Sequence, residues 1–166
     1  MDNTIVFIKN KIIDLFHVVP VVEHIHRETT FTWYHNVLSI FFDDEYFISL
    51  QTPDDYISSA APNLRGVQID VNVLLNQLVL FNHIKNLILR HHNDFNAIQT
   101  DGFIQIQWGE GIIYDLIIRY KIKYYDIRFY DSSFKSVFFD QFKIPHDDID
   151  RFITLLFDQL YPRRVY

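Results

Sequence analysis

The sequence predicts an α+β fold, antiparallel sheet accompanied by N-terminal, central and C-terminal helices, in a single domain over residues 1–166. Three observations carry this. Apolar residues recur at three-to-four spacing in three separated stretches. Between them lie runs of β-branched and aromatic residues broken by short turn signals. Those runs come in hairpin-like groups instead of alternating singly with helices, which argues against a doubly wound parallel sheet. A length of 166 residues, 49% hydrophobic and 17% aromatic, is enough for one sizeable core and excludes wholesale disorder.

The first helix is expected over 4–19, with Ile5, Ile8, Ile12, Leu15, Phe16 and Val19 on one face, Thr4 as cap and Pro20 as stop. Strands are expected at Val21–His26, Thr29–His35, Val37–Phe42 and Tyr46–Leu50, the last two forming a hairpin through Asp43-Asp44-Glu45. Residues 52–66 shift to Pro, Asp, Ser, Ala and Asn and read as the only long loop, suited to holding a partner. Asp70 reads as the N-cap of a long helix reaching about His92. Its polar stripe, Asn72, Asn76, His83, Asn86 and Arg90, is narrow, so the helix must be covered from more than one side, by its own domain or by a second subunit.

A second β region opens at Asp101-Gly102. Phe103–Trp108 alternates as a half-buried strand, and Gly109-Glu110-Gly111 turns the chain. Residues 112–130 are too long for one strand and should bend near Asp115 or Tyr124–Asp126, unless a helical turn follows Glu110. Ser136–Ile144 is another strand. Pro145 opens the last helix, about His146–Tyr161, with Asp147, Asp148 and Asp150 near its positive end and Ile149, Phe152, Ile153, Leu156 and Leu160 on its apolar face. No internal repeat is evident.

Fifteen Lys and Arg against 21 Asp and Glu leave a net charge of −6, unlike a chain that works by neutralising phosphates. The excess is concentrated in residues 1–100, which hold 6 basic and 11 acidic side chains. The absence of cysteine removes disulfides and thiolate chemistry, and with no signal-peptide pattern at the N-terminus and no uninterrupted apolar run, a cytoplasmic protein away from membranes is expected.

Candidate chemistry is sparse. His24 and His26 are similar to the His-x-His of cupin-like metal sites, though two solvent-facing strand histidines are the simpler reading, so no metal and no cofactor are expected. His91-His92 reads as the cationic end of the central helix. Glu110, Asp115 and Asp126 are the candidate acid–base carboxylates, with Glu110 more simply a turn residue. No nucleotide-binding or hydrolase motif is present. If residues 117–124 are extended, Arg119, Lys121 and Lys123 share one face, and Arg128 adds to it from the next strand. Cations in a row on a sheet, with aromatics nearby, can hold single-stranded nucleic acid. Strands with such a row followed by an amphipathic helix resemble the positive-cofactor type of single-strand binders over the last 65 residues.

The hairpin from Ser39 to Leu50, a strand, an acidic turn and a strand, resembles that of class I type III secretion chaperones. The order helix, three strands, central helix, strands, helix is similar too, and this resemblance implies a small acidic dimer that holds another protein. The expected function is therefore non-catalytic: a protein-binding domain of immunity, inhibitor or secretion-chaperone type. Asp43, Asp44, Glu45, Asp54 and Asp55 would meet a basic partner, and the reading leans to a homodimer. A single-stranded nucleic-acid binder using Arg119, Lys121, Lys123 and Arg128 is the alternative.

Overall fold

The structure, a computed structural model, describes residues 1–133 and 136–162, and side chains within that range other than those of 132–140. Two antiparallel sheets and three α-helices make up an α+β fold. Two compact units are formed, Met1–Val79 with Gln99–Asp101, and Leu80–Ile98 with the chain from Gly102 onward. No helix among the described residues is long and apolar enough to cross a membrane.

In the first unit, α1 (Asp2–Phe16) buries Thr4, Ile8 and Ile12. It stops short of the expected residue 19 because His17 turns left-handed (φ 57°) and donates its N–H to the Ile13 carbonyl at 2.8 Å. Val19 thus leaves the apolar face and is 63% exposed. A five-stranded meander follows: β1 (Val21–Ile25), β2 (Glu28–Trp33), β3 (Asn36–Asp43), β4 (Glu45–Gln51) and β5 (Tyr56–Ala61), each strand pairing its neighbour. Phe31, Trp33, Leu38, Ile40, Ile48, Leu50 and Ile57 point inward by period-two alternation onto α1 and the following helix.

The long loop expected at 52–66 is instead a tight turn and a strand. Thr52 Oγ1 accepts the N–H groups of Asp54 and Asp55 at 3.2 and 2.9 Å, and β5 then pairs with β4. Its residues, Ser58-Ser59-Ala60-Ala61, have weak strand propensity, so pairing with β4 and burial of Ile57 decide its conformation. With five strands before the central helix, the three-strand order of the secretion-chaperone resemblance does not hold.

The central helix α2 (Leu64–Leu89) begins before Asp70. Asn63 caps it, its Oδ1 accepting the Gly66 N–H at 2.8 Å, whereas Asp70 accepts the Ser59 hydroxyl at 2.9 Å. Asn63→Ala is expected to cost about 1 kcal/mol. A urea unfolding curve checks this, with Asn63→Ser close to wild type. The wide apolar arc of α2 has a simple origin. Val67, Val71, Leu74, Leu75 and Leu78 belong to the core of the first unit, and Leu80, Phe81, Ile84, Leu87 and Ile88 to that of the second. At about 100° per residue, each set is a narrow stripe on its own part of the helix. The two together cover most of the circumference, so the arc is accounted for within one chain.

The second unit contains β6 (Asn96–Thr100, its last two residues counted with the first unit), β7 (Phe103–Trp108), β8 (Ile113–Tyr120), β9 (Tyr124–Ser133) and β10 (Ser136–Pro145), in the order β10-β9-β8-β7-β6. Strand β6 was not expected from the sequence. The 112–130 stretch reverses at 121–123, and Asp115 is the third residue of β8, paired in unbroken register with β7 and β9. Gly109, at φ 120°, is required where the chain turns, since a Cβ there would overlap the Ile112 carbonyl. A single 3-10 turn, His146–Asp148, leads into α3 (Ile149–Leu160).

Both units repeat one plan, helix, five-stranded meander, helix, although no repeat is visible in the sequence. The chain's two tryptophans, Trp33 and Trp108, each end the second strand of a sheet and are buried. Leu38 and Ile40 correspond to Leu116 and Ile118, and Ile48 and Leu50 to Ile127 and Phe129, at matching register. Val67, Val71, Leu74, Leu75 and Leu78 have the same spacing as Ile149, Ile153, Leu156, Phe157 and Leu160.

Tyr125 is 7% exposed, and its phenol is pushed up to about 12, first by burial and then by Tyr120 and Asp150. The unfolded chain ionises at the ordinary value of 10.0, so stability is intact below pH 10 and falls as pH rises towards about 12. Burial also raises Tyr114 and Tyr161. The expected result is alkaline destabilisation whose slope becomes shallower, without vanishing, in Tyr125→Phe, read from urea midpoints between pH 9 and 12.

Candidate functional site

The first sheet buries one face under its helices and leaves the other open. Register places the outward residues in rows across the strands. One row is Val21, Thr32, Val37, Gln51 and Tyr56; the next is Glu23, Thr30, Ser39, Ser49 and Ser58; the third is Ile25, Glu28, Phe41, Phe47 and Ala60. Beyond the third row Asp43 and Glu45 stand opposite each other on the same side, at the tip of the β3–β4 hairpin. Asp44 makes that tip with a left-handed backbone, φ 63°.

Small hydroxyl side chains in the middle row, between larger ones on either side, leave a trough. One hollow of about 470 Å³ is lined by Glu23, Ile25, Arg27, Glu28, Thr30 and Phe41 together with His26. An adjoining one of about 520 Å³ is lined by Glu28, Ser39, Phe41, Phe47, Ser49 and Ser58, among others. Glu28 and Phe41 line both, so the hollows adjoin and together make a trough whose lining draws on all five strands. At about 4.8 Å between strands it is about 19 Å long. Its apolar wall is open to solvent, with Ile25 64%, Phe41 40% and Phe47 44% exposed.

The electrostatics of this face are one-sided. Strands β1 to β5 contain no Lys or Arg, while Glu23, Glu28, Asp43 and Glu45 project from the open side. Arg27, in the β1–β2 turn, stands 3.6 Å from Asp43, with both side chains well exposed. Among the described residues the ion pair at the tip is made by Asp43, and Asp44 and Glu45 take no part in it. Asp54 and Asp55 lie at the other end of β4, where Asp55 Oδ1 accepts the Tyr56 N–H at 2.8 Å. The sequence grouped these two acidic clusters as one kind of surface. The fold separates them by the length of β4, about 20 Å, and joins only Asp43 and Glu45 to the apolar row.

Contrary to the sequence reading, His24 and His26 are not both strand residues. Strand β1 ends at Ile25, and His26 enters the turn with φ 56°, so the two side chains do not share a strand face. His24 Nδ1 meets Thr29 Oγ1 at 2.7 Å. Among the described residues no group of three His, Asp or Glu is placed to hold a metal ion. Asp115 accepts from Gln105 and Gln107 side-chain amides, and Asp126 from Gln141, all on the wet face of the second sheet. Asp101 is pushed up, first by burial and also by the Asp70 charge, with the neighbouring Ser59 hydroxyl acting in the opposite direction.

The expected row Arg119, Lys121, Lys123 is also broken, because β8 ends at Tyr120 and both lysines fall in the turn before β9. Arg119 lies over the Phe103 ring at 5.4 Å and pairs in register with Asp126. Arg128 does project from the same face of β9, between Ile117 and Gln141. Cations and carboxylates are interleaved on this sheet, in contrast to the first.

His91 and His92 close α2 through N–H bonds to the Ile88 carbonyl, both 3.0 Å. Their side chains pack on Tyr161 instead of capping carbonyls. His91 stacks on it at 3.9 Å, and its hydroxyl lies 2.7 Å from His92 Nε2 and accepts from Trp108 Nε1 at 3.0 Å. The open face of the first sheet was missed in the sequence, yet a signal was there: no Lys or Arg occurs between Arg27 and Arg65. Compared with protein families, with curated proteins and with solved structures, the chain gave no match.

Proposed function

We propose that this protein acts by holding another protein, as an acidic, non-catalytic binding domain of the immunity, inhibitor or secretion-chaperone kind. The observation that carries the reading is the open face of the first sheet, where an exposed apolar row adjoins Asp43 and Glu45. Contiguous exposed apolar surface with a polar border marks interaction sites, and aromatic residues are enriched in interface cores. Carboxylates around such a patch steer a basic partner and speed its encounter.

The test is capture from the native host with two baits, wild type and Asp43→Lys/Asp44→Lys/Glu45→Lys, at low and high salt. The expected result is a stoichiometric protein partner held by wild type, weakened by salt and lost from the reversed bait. Equal retention of every captured protein by both baits at both salt concentrations would overturn the reading. The interleaved charges of the second sheet favour no corresponding statement for nucleic acid.

A further inference from the structure

Resting on that reading, we infer that the trough across the first sheet receives a basic amphipathic segment of the partner. Its apolar side chains would lie against Ile25, Phe41 and Phe47, and its Lys or Arg heads would reach Glu23, Glu28 and the Asp43–Glu45 tip. Three features of the face converge on this occupant. The two hollows adjoin, because both are lined by Glu28 and Phe41. Its wall is apolar and solvent-open. Every charged side chain projecting from the open side of these five strands is acidic.

An apolar partner alone would leave the carboxylates stranded at the interface, with the cost of desolvating them uncompensated. A purely basic partner would leave the phenylalanines wet. A segment carrying both kinds of group satisfies the carboxylates and the apolar side chains together, and a guanidinium over the exposed Phe41 ring adds a cation–π contact. The Thr30, Ser39, Ser49 and Ser58 hydroxyls along the floor donate and accept, so they accommodate the polar backbone of the incoming segment. A second copy of this chain is a poorer fit, because it brings the same acidic face and the same charge repulsion.

The experiment uses the full chain and three fluorescein-labelled synthetic peptides of equal length: Leu with Lys, Leu with Glu, and Ser with Lys. Anisotropy is expected to show saturable binding of one Leu/Lys peptide per chain, and none of the other two. Ser49→Lys, which fills the trough and adds a cation, should raise the dissociation constant at least tenfold. Ser39→Lys repeats the test one strand away, and circular dichroism with a melting curve confirms that each variant folds. Asp147→Lys/Asp148→Lys, a control for net charge at the start of α3, should stay within twofold of wild type.

Equal affinity of wild type and both trough variants would overturn the inference. So would binding of the Ser/Lys peptide as tight as that of Leu/Lys, which would mean charge attraction only. Self-association abolished by Ser49→Lys, with no peptide bound, would place a second copy on the face and overturn it too. If Ser49→Lys still captures the host partner that tip reversal loses, the trough assignment fails while protein binding stands.

Discussion

Trp108→Ala is expected to lower stability by about 3–5 kcal/mol, the range for removing a large aromatic from a packed core. The indole is 3% exposed, stacked on Phe157 at 5.2 Å and tilted against Tyr114 at 5.5 Å. It also donates to the Tyr161 hydroxyl, which lies 2.7 Å from His92 Nε2. An indole N–H can only donate, so the tyrosine oxygen accepts from Trp108, while the direction of its contact with His92 Nε2 is set by the imidazole tautomer. Deleting the ring removes packing and a hydrogen bond together.

Trp33 gives the contrast. It ends the corresponding strand of the first sheet and packs on Phe16 at 5.2 Å, but its buried Nε1 has no hydrogen-bond partner among the described residues. Trp108→Phe is therefore expected to cost about 1 kcal/mol more than Trp33→Phe, because only the former breaks a buried bond. Urea unfolding of the two variants decides it. Equal losses would mean that the Trp108–Tyr161 bond contributes nothing net.

The second large effect is on binding. Asp43→Lys/Asp44→Lys/Glu45→Lys is expected to weaken the partner complex about 100-fold at low salt, mainly by slowing association and adding like-charge repulsion. The chain should still fold, with a loss of about 1 kcal/mol for placing Lys at the left-handed Asp44 position, while the exposed Arg27–Asp43 pair contributes little to stability. Asp54→Lys, at the far end of β4, should change affinity by about threefold or less, since screening limits its reach to roughly 10 Å at 0.1 M salt. Surface plasmon resonance at two salt concentrations measures both rates. Losses of equal size at the two positions would indicate diffuse attraction to an acidic chain instead of contact at the tip.

Much of this architecture is legible in the sequence. Runs of β-branched and aromatic residues located the first four strands, alternation in Phe103–Trp108 located β7, and three-to-four spacing located all three helices. The missed strands, β5 and β6, are short, polar and poor in strand formers; their neighbours in the sheet order their backbones. Helix ends were misplaced at Val19 and Asp70 because a left-handed His17 and the Asn63 cap depend on local backbone geometry that residue type alone does not specify.

The residues of the candidate site were partly visible. Asp43, Asp44 and Glu45 stood out as an acidic turn, and the absence of Lys and Arg over 28–64 could have been read as well. Their relation to Phe41 and Phe47 could not, because it depends on which strands pair and in what register. A one-residue slip would send every outward side chain inward. The basic row Arg119, Lys121, Lys123 failed for the same reason, since the position of the reversal between β8 and β9 decides who faces whom.

By itself the sequence determined the α+β class, the helices, the hairpin and the uneven charge, because these follow from periodicity and composition within a few residues of each other. Tertiary structure alone decided that α2 serves two cores, that one plan is repeated behind dissimilar sequences, and that carboxylates and exposed apolar side chains share an open face. Those depend on contacts between residues far apart in the chain. Such contacts are selected by burial and strand register, and no local pattern encodes them.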